Sequence, residues 1–183
     1  MQVIRDYYDI AILPPREVSE YCIKKSRVLH ERFGSQFVLG RAENIPHITL
    51  LHAAFARERL DALKRRLKDL AKKQKLFKAR FAGFLNYPHV GYVTIKIEPR
   101  NLFLPLHKKV IKITRDLVNR RFSYRDIWDY SELSDKQKLY VEKYTSPSVM
   151  EFYNAHSTLG RLKAYDRMSE VEEKMRIDEM EFQ

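Results

Sequence analysis

Cysteine is almost missing from this chain. Cys22 is the only one in 183 residues, which excludes an internal disulfide and suits a reducing compartment. It falls on a helical stripe with Val18 and Tyr21, where a thiol serves as packing rather than as a reactive group. Long hydrophobic runs are absent as well. No apolar stretch approaches the length of a membrane span, and the opening "MQVIRDYYDI" lacks the apolar core of a secretory signal. A cytoplasmic protein without a membrane association is expected. Low-complexity tracts and evident linkers are also missing. Acidic residues run short, with 24 against 35 basic ones and a net charge of +11. An excess of that size on a short chain points to a polyanionic partner, most often nucleic acid.

What is present is the composition of a folded domain, with 44% hydrophobic and 32% charged residues. The length suits one domain or two small lobes sharing a core. "YYDIAIL" (7–13) alternates as a strand and stops at Pro14 and Pro15. The next stretch carries Val18, Cys22, Ile23, Val28, Leu29 and Phe33 at helical spacing, closed by Gly34. A strand is expected from about Phe37 to Phe55, then a helix over 57–75 with Leu60, Leu63, Leu67 and Leu70 inward and a basic outer face. Lys64, Arg65, Lys68 and Lys72 on that face read as solvated charge. Two strand-like runs over 76–99 flank a turn near Asn86–Pro88, and a helix follows over 102–118. Segment 119–151 is charged and aromatic, long for a connection, and reads as a lid or insertion. It holds one short helix, Asp135 to Tyr144, capped by Ser134. A strand (152–162), a helix (166–176) and a possible terminal strand complete an α/β or α+β alternation.

Two segments stand out. "PHITLL" places His47 and Thr49 two apart within an apolar run, and "AHSTLG" repeats the spacing with His156 and Thr158. On a strand, side chains alternate, so each copy shows an imidazole and a hydroxyl on one face and packs its other residues behind. The remaining histidines act as controls. His89 has Gly91 where a threonine would stand and reads as a hairpin residue. His30 and His107 lie in helical patterns without a paired hydroxyl. His52 would face the Ile48 side of a regular strand, in a structural or supporting role.

Paired His-Thr groups suit acid–base chemistry at phosphorus. One neutral imidazole takes a proton from the attacking hydroxyl or water, and one imidazolium donates to the departing oxygen. The hydroxyls can donate to the non-bridging phosphate oxygens. Metal ligation competes poorly, because neither copy has a carboxylate or cysteine at ligand spacing.

At these residues the sequence resembles the two-histidine phosphoesterase superfamily, the LigT-like 2′-5′ RNA ligase and cyclic phosphodiesterase proteins. "RDYYDIAILPPREV" is similar to that family's first strand and the proline-marked start of its first helix. "FKARFAGFLNYPHVGYVTIKIEPRNLFLPLHKKV" resembles its central strand pair and following helix, and "AHSTLGRL" its second motif. "LSDKQKLYVEKYTSPSVMEFYNAHSTLGRL" is similar to a bacterial branch that includes phosphonate-operon-associated members. The resemblance implies an α+β bilobal duplicated fold over residues 1–183, with two antiparallel-type sheets facing a central cleft and helices outside. It implies His47 and His156 as the acid–base pair, Thr49 and Thr158 as phosphate-binding groups and Arg161 as a further phosphate contact. Where the family often has an arginine, this chain has His52, lowering charge near that half of the phosphate site.

The implied substrate is an RNA end with a 2′,3′-cyclic phosphate, another 2′-linked phosphodiester, or a small nucleotide or sugar cyclic phosphate. No metal or cofactor is implied, and a monomer is expected. The charge favours an RNA end over a lone nucleotide. Tyr124, Trp128, Tyr130 and Tyr153 are candidates for stacking on an unpaired base, against a local hydrophobic cluster. The rival class is an RNA-binding module with little turnover.

Overall fold

The computed structural model describes residues 7–120, 130–131 and 133–183. They form helices with two antiparallel sheets, an α+β fold. In chain order the elements are β1 (Tyr7–Ile12), α1 (Arg16–Phe33), β2 (Ile48–Ala54), α2 (Leu60–Lys73), β3 (Ala79–Phe84) and β4 (Tyr92–Glu98). There follow α3 (Arg100–Thr114), α4 (Asp135–Tyr144), β5 (His156–Arg161), α5 (Met168–Lys174) and β6 (Glu181–Phe182). No helix among the described residues is long and apolar enough to cross a membrane.

The chain divides into two compact units, each drawn from three separated segments. The first takes residues 1–11, 50–75 and 103–153. Its strand pair is β1 with β2. Leu51, Ala53, Phe55, Leu63, Phe103 and Val110 fill its core. Thr145 sits between backbones: its hydroxyl accepts from the Ala54 amide at 3.1 Å, and its carbonyl accepts from the Tyr7 hydroxyl at 2.5 Å. Ser134 and Gln137 form the reciprocal capping box at the start of α4, at the position the sequence pattern indicates. Tyr124 and Trp128 lie outside the described residues.

The second unit takes residues 12–49, 76–102 and 154–183. Its four-stranded sheet runs β5-β4-β3-β6 with each neighbouring pair antiparallel. One sheet face is apolar, with Phe81, Val93, Ile95, Ile97 and Leu159 fully buried or nearly so. Helix α1 covers β5 on that face. Cys22 Sγ lies 3.9 Å from the Ser157 hydroxyl, and the Tyr21 ring 5.4 Å from that of Phe81. Burial pushes the Cys22 thiol up to about 11, which keeps it protonated and inert at neutral pH. Gly160 permits the close approach of helix to strand, since a Cβ there would stand 2.9 Å from Leu29 Cδ2.

Several expected boundaries move. The strand expected from Phe37 begins only at Ile48. Gly40 and Asn44 close a turn through a 3.3 Å backbone bond, with Asn44 at positive φ, and Pro46 has no N–H to give a ladder. Leu39 donates its amide to the Ser26 hydroxyl of α1 instead of to a strand. Residues 57–59 and 165–167 wind as 3₁₀ turns that lead into α2 and α5. Helix α3 starts two residues earlier than its apolar stripe and ends at Thr114, whose hydroxyl bonds back to the Val110 carbonyl. The terminal strand forms, with Phe182 opposite Ala79.

Candidate active site

Both His-x-Thr segments belong to the second unit, the first at the end of its 12–49 segment and the second on β5. The alternation expected from sequence is present in each. Ile48 and Leu50 are buried while His47 and Thr49 are half-buried, and Ser157 and Leu159 are buried while His156 and Thr158 are half-buried.

The two imidazoles share a detail that spacing alone does not predict. His47 Nδ1 lies 2.7 Å from the Ile45 carbonyl, and His156 Nδ1 lies 2.8 Å from the Asn154 carbonyl. A carbonyl can only accept, so Nδ1 carries the hydrogen in both rings. Each ring is thereby oriented from the carbonyl two residues earlier, and Nε2 becomes the atom that gains or gives up a proton. The other histidines differ. His107 is fully buried, donates from Nδ1 to the Leu50 carbonyl at 2.5 Å and accepts the Met150 amide on Nε2 at 2.9 Å. Both its nitrogens serve the fold of the first unit. His30 sits 3.1 Å from the Ser35 carbonyl and hydroxyl. His52 makes an edge-on ring contact with Tyr7, centroids 4.1 Å apart. His89 sits in the β3–β4 hairpin connection, as its sequence context indicates.

The sheet register decides what surrounds His156. On β4–β5, Lys96 pairs with His156, Thr94 with Thr158, Val93 with Gly160 and Tyr92 with Arg161. Leu159 is therefore an extra residue, a bulge in β5. On a regular strand Thr158 and Arg161, three apart, would point to opposite faces. The bulge shifts the count by one and brings Arg161 to the face of Thr158 and His156, beside Tyr92. An isolated glycine in a strand pattern, here Gly160, is the sequence signal for such a bulge.

Arg161 is held firmly. Its Nε donates to the Val90 carbonyl at 2.8 Å and its Nη2 to the Tyr165 hydroxyl at 2.6 Å. Its guanidinium stands 5.3 and 5.5 Å from the Tyr92 and Tyr165 ring centroids. The hairpin turn supports this arrangement, because Gly91 has φ 75 and a Cβ there would lie 2.5 Å from the Tyr165 ring. Gly91→Ala is expected to cost about 1–3 kcal/mol, from the unfavourable φ and the overlap together. Urea unfolding would measure this. Adding Tyr165→Ala should recover only the overlap part, and full recovery would show that φ contributes nothing.

Two further residues on this unit belong to the neighbourhood of His156 and escape sequence reasoning. The Tyr87 ring centroid is 5.8 Å from the imidazole, and burial raises the Tyr87 hydroxyl above its ordinary value. Lys96, directly across the ladder, is bound to Glu98 at 2.5 Å, and Glu98 also meets Arg80 at 3.0 Å. The signal that could have found Lys96 is its place as the one cation on the exposed-parity positions of "YVTIKIE"; Tyr87 has no comparable signal. Tyr153 is placed elsewhere. It is 4% exposed in the first unit, with its ring stacked on His107 at 4.1 Å, so that face is not open to a base. Among the described residues, no three His, Cys, Asp or Glu side chains gather as metal ligands would.

The family model described as the 2′-5′ RNA ligase superfamily matches residues 14–183, a span that includes both His-x-Thr segments. Among curated proteins no sequence matches the chain.

Proposed function

The chain belongs to the 2′-5′ RNA ligase superfamily, and from that premise we propose that it hydrolyses 2′,3′-cyclic phosphate RNA ends or other 2′-linked phosphodiesters without a metal. Membership supports a phosphoesterase or ligase type of chemistry. The observation that carries the finer reading is the pair of matched histidines, each with Nδ1–H tied to the carbonyl two residues back, a tautomer that puts the basic lone pair on Nε2.

In this reading one histidine of the His47–His156 pair is neutral and takes a proton from water through Nε2. The water oxygen bonds to phosphorus as one ribose P–O bond breaks. The other histidine, protonated on Nε2, gives its proton to the departing ribose oxygen, and a phosphomonoester results. Thr49 and Thr158 donate to non-bridging oxygens as their charge grows, and Arg161, on the face of Thr158, adds positive charge. Ligation puts a 5′-hydroxyl in the place of water: the neutral histidine takes its proton as its oxygen bonds to phosphorus, and the protonated one gives its proton to the departing ribose oxygen, leaving a phosphodiester linkage. A cytoplasmic setting fits the lone, buried Cys22.

The test is hydrolysis of a nucleoside 2′,3′-cyclic phosphate, and of an RNA oligomer ending in one, with excess chelator present. Turnover that survives the chelator supports the reading, and the position of the product phosphate identifies the broken bond. Turnover abolished by chelator and restored by a divalent cation would overturn the metal-free mechanism. Absence of turnover on both substrates, with RNA still bound, would make the chain a binding module.

A further inference from the structure

The first unit has a basic depression that the histidine chemistry does not use. Two adjoining hollows, about 420 and 600 Å³, share Arg115, Asp116 and Arg120 in their walls. Lys108, Lys112, Lys143 and Tyr144 line one, and Arg59 and Asn119 the other. Lys108, Lys112 and Arg115 are spaced four and seven residues apart along α3 and its last turn, which places them on one helical face. Arg115 keeps the helical register, its amide bonding the Ile111 carbonyl at 3.0 Å.

The end of a helix ordinarily presents partial negative charge. Here arginines cover it. Arg66 donates to the Ile113 carbonyl at 2.6 Å, and Arg59 donates to the Asp116 carbonyl. The Asp116 carboxylate is held in a two-point pair with Arg66 at 2.6 and 2.9 Å, which pulls it down to about 2. Asp116 therefore does not offset the other cations. Among the described residues, Lys108, Lys112, Arg115 and Arg120 have no carboxylate partner within ion-pair distance. The carboxylates in these walls are Asp116, paired with Arg66, and Glu58, which lines only the hollow of Arg59 and Asn119. The cations outnumber them, and like charges converging in a concave surface focus potential outward and favour a polyanion. Tyr144 adds a half-exposed ring at the same place, with Lys143 Nζ 5.3 Å from its centroid. A cationic groove with an aromatic platform suits a single strand, whose bases are free to stack, better than a duplex.

We propose that the depression formed by Lys108, Lys112, Arg115, Arg120, Lys143 and Tyr144 binds the phosphate backbone of single-stranded RNA. The choice of RNA as the polyanion rests on the reading of the histidine site. The groove itself does not depend on turnover.

The experiment measures binding of the full-length chain to a labelled single-stranded RNA of about 12 nucleotides with an ordinary 3′-hydroxyl, over a range of salt. Lys112→Gln/Arg115→Gln is compared with Lys68→Gln/Lys72→Gln, which removes the same net charge from the solvated face of α2. All four side chains are exposed, so folding should hold, and thermal unfolding checks it. The groove variant should bind about tenfold more weakly at physiological salt, with a salt slope flatter by about 1.4 for two lost phosphate contacts. The α2 variant should stay within about twofold. Equal losses in the two variants would overturn the proposal, as would no loss in either or no RNA binding by wild type. Tighter binding of a duplex of equal length would overturn the single-strand assignment. Failure of cyclic phosphate hydrolysis alone would count against the proposed reaction and leave the groove result standing.

Discussion

His156→Ala is expected to lower kcat for cyclic phosphate hydrolysis by about 10²–10⁴-fold, and His47→Ala by a similar factor. Each removes one proton-transfer partner while leaving the backbone carbonyl that held it, Asn154 or Ile45, able to bond water. Because the two imidazoles act in one step, the double variant should be little worse than either single one. The pH dependence provides an independent check. A mechanism with one neutral and one protonated histidine loses rate on both the acid and alkaline sides. Each single variant should lose one of those limbs, and which limb vanishes identifies the base and the acid. Both residues are half-buried rather than core, so thermal unfolding should change little. A drop of less than tenfold in either variant, with folding intact, would remove that histidine from the proposed mechanism.

The second large effect concerns stability. Phe81→Ala should destabilise the protein by about 3–5 kcal/mol. Phe81 is completely buried at the centre of the β5-β4-β3-β6 sheet's apolar face. It meets Tyr21 of α1 and Phe182 of β6, each with ring centroids 5.4 Å away. Truncation removes the ring contacts from both sides, and neither neighbour can close the gap without giving up its own packing: the Tyr21 hydroxyl accepts the Asp178 amide at 2.7 Å, and β6 is held by pairing with β3. In a chain of this size the loss corresponds to a fall in Tm of about 6–20 °C. Differential scanning calorimetry would measure it. A shift of only a degree or two would mean that the Tyr21–Phe81–Phe182 cluster is not the support of this sheet.

Much of the secondary structure was legible because the local signals agreed. In α1 an apolar stripe, flanking prolines and Gly34 all mark the same span, Arg16–Phe33. In α4 the Ser134–Gln137 box sets the start to the residue. The misread stretch, Phe37 to His47, has strand-like composition, but its hydrogen bonds go to a turn and to Ser26. That outcome depends on where α1 lies, which no local pattern carries. The aromatic assignment of Tyr153 shows the same gap. A tyrosine beside a motif reads as available, and only packing reveals His107 against its ring.

By itself the sequence determined the two His-x-Thr segments, the faces on which their side chains lie, and the excess of positive charge. These follow from strand alternation and from counting, both properties of the chain taken one stretch at a time. Tertiary structure decided the rest. It supplied the two carbonyl bonds that direct Nε2 of His47 and His156, the register that sets Lys96 opposite His156, and the bulge that turns Arg161 onto the face of Thr158. It also gathered Lys108, Lys112, Arg115 and Lys143 into one depression. The reason is physical: tautomer, register and local potential depend on which groups approach from distant parts of the chain, and that is set by packing rather than by neighbours in sequence.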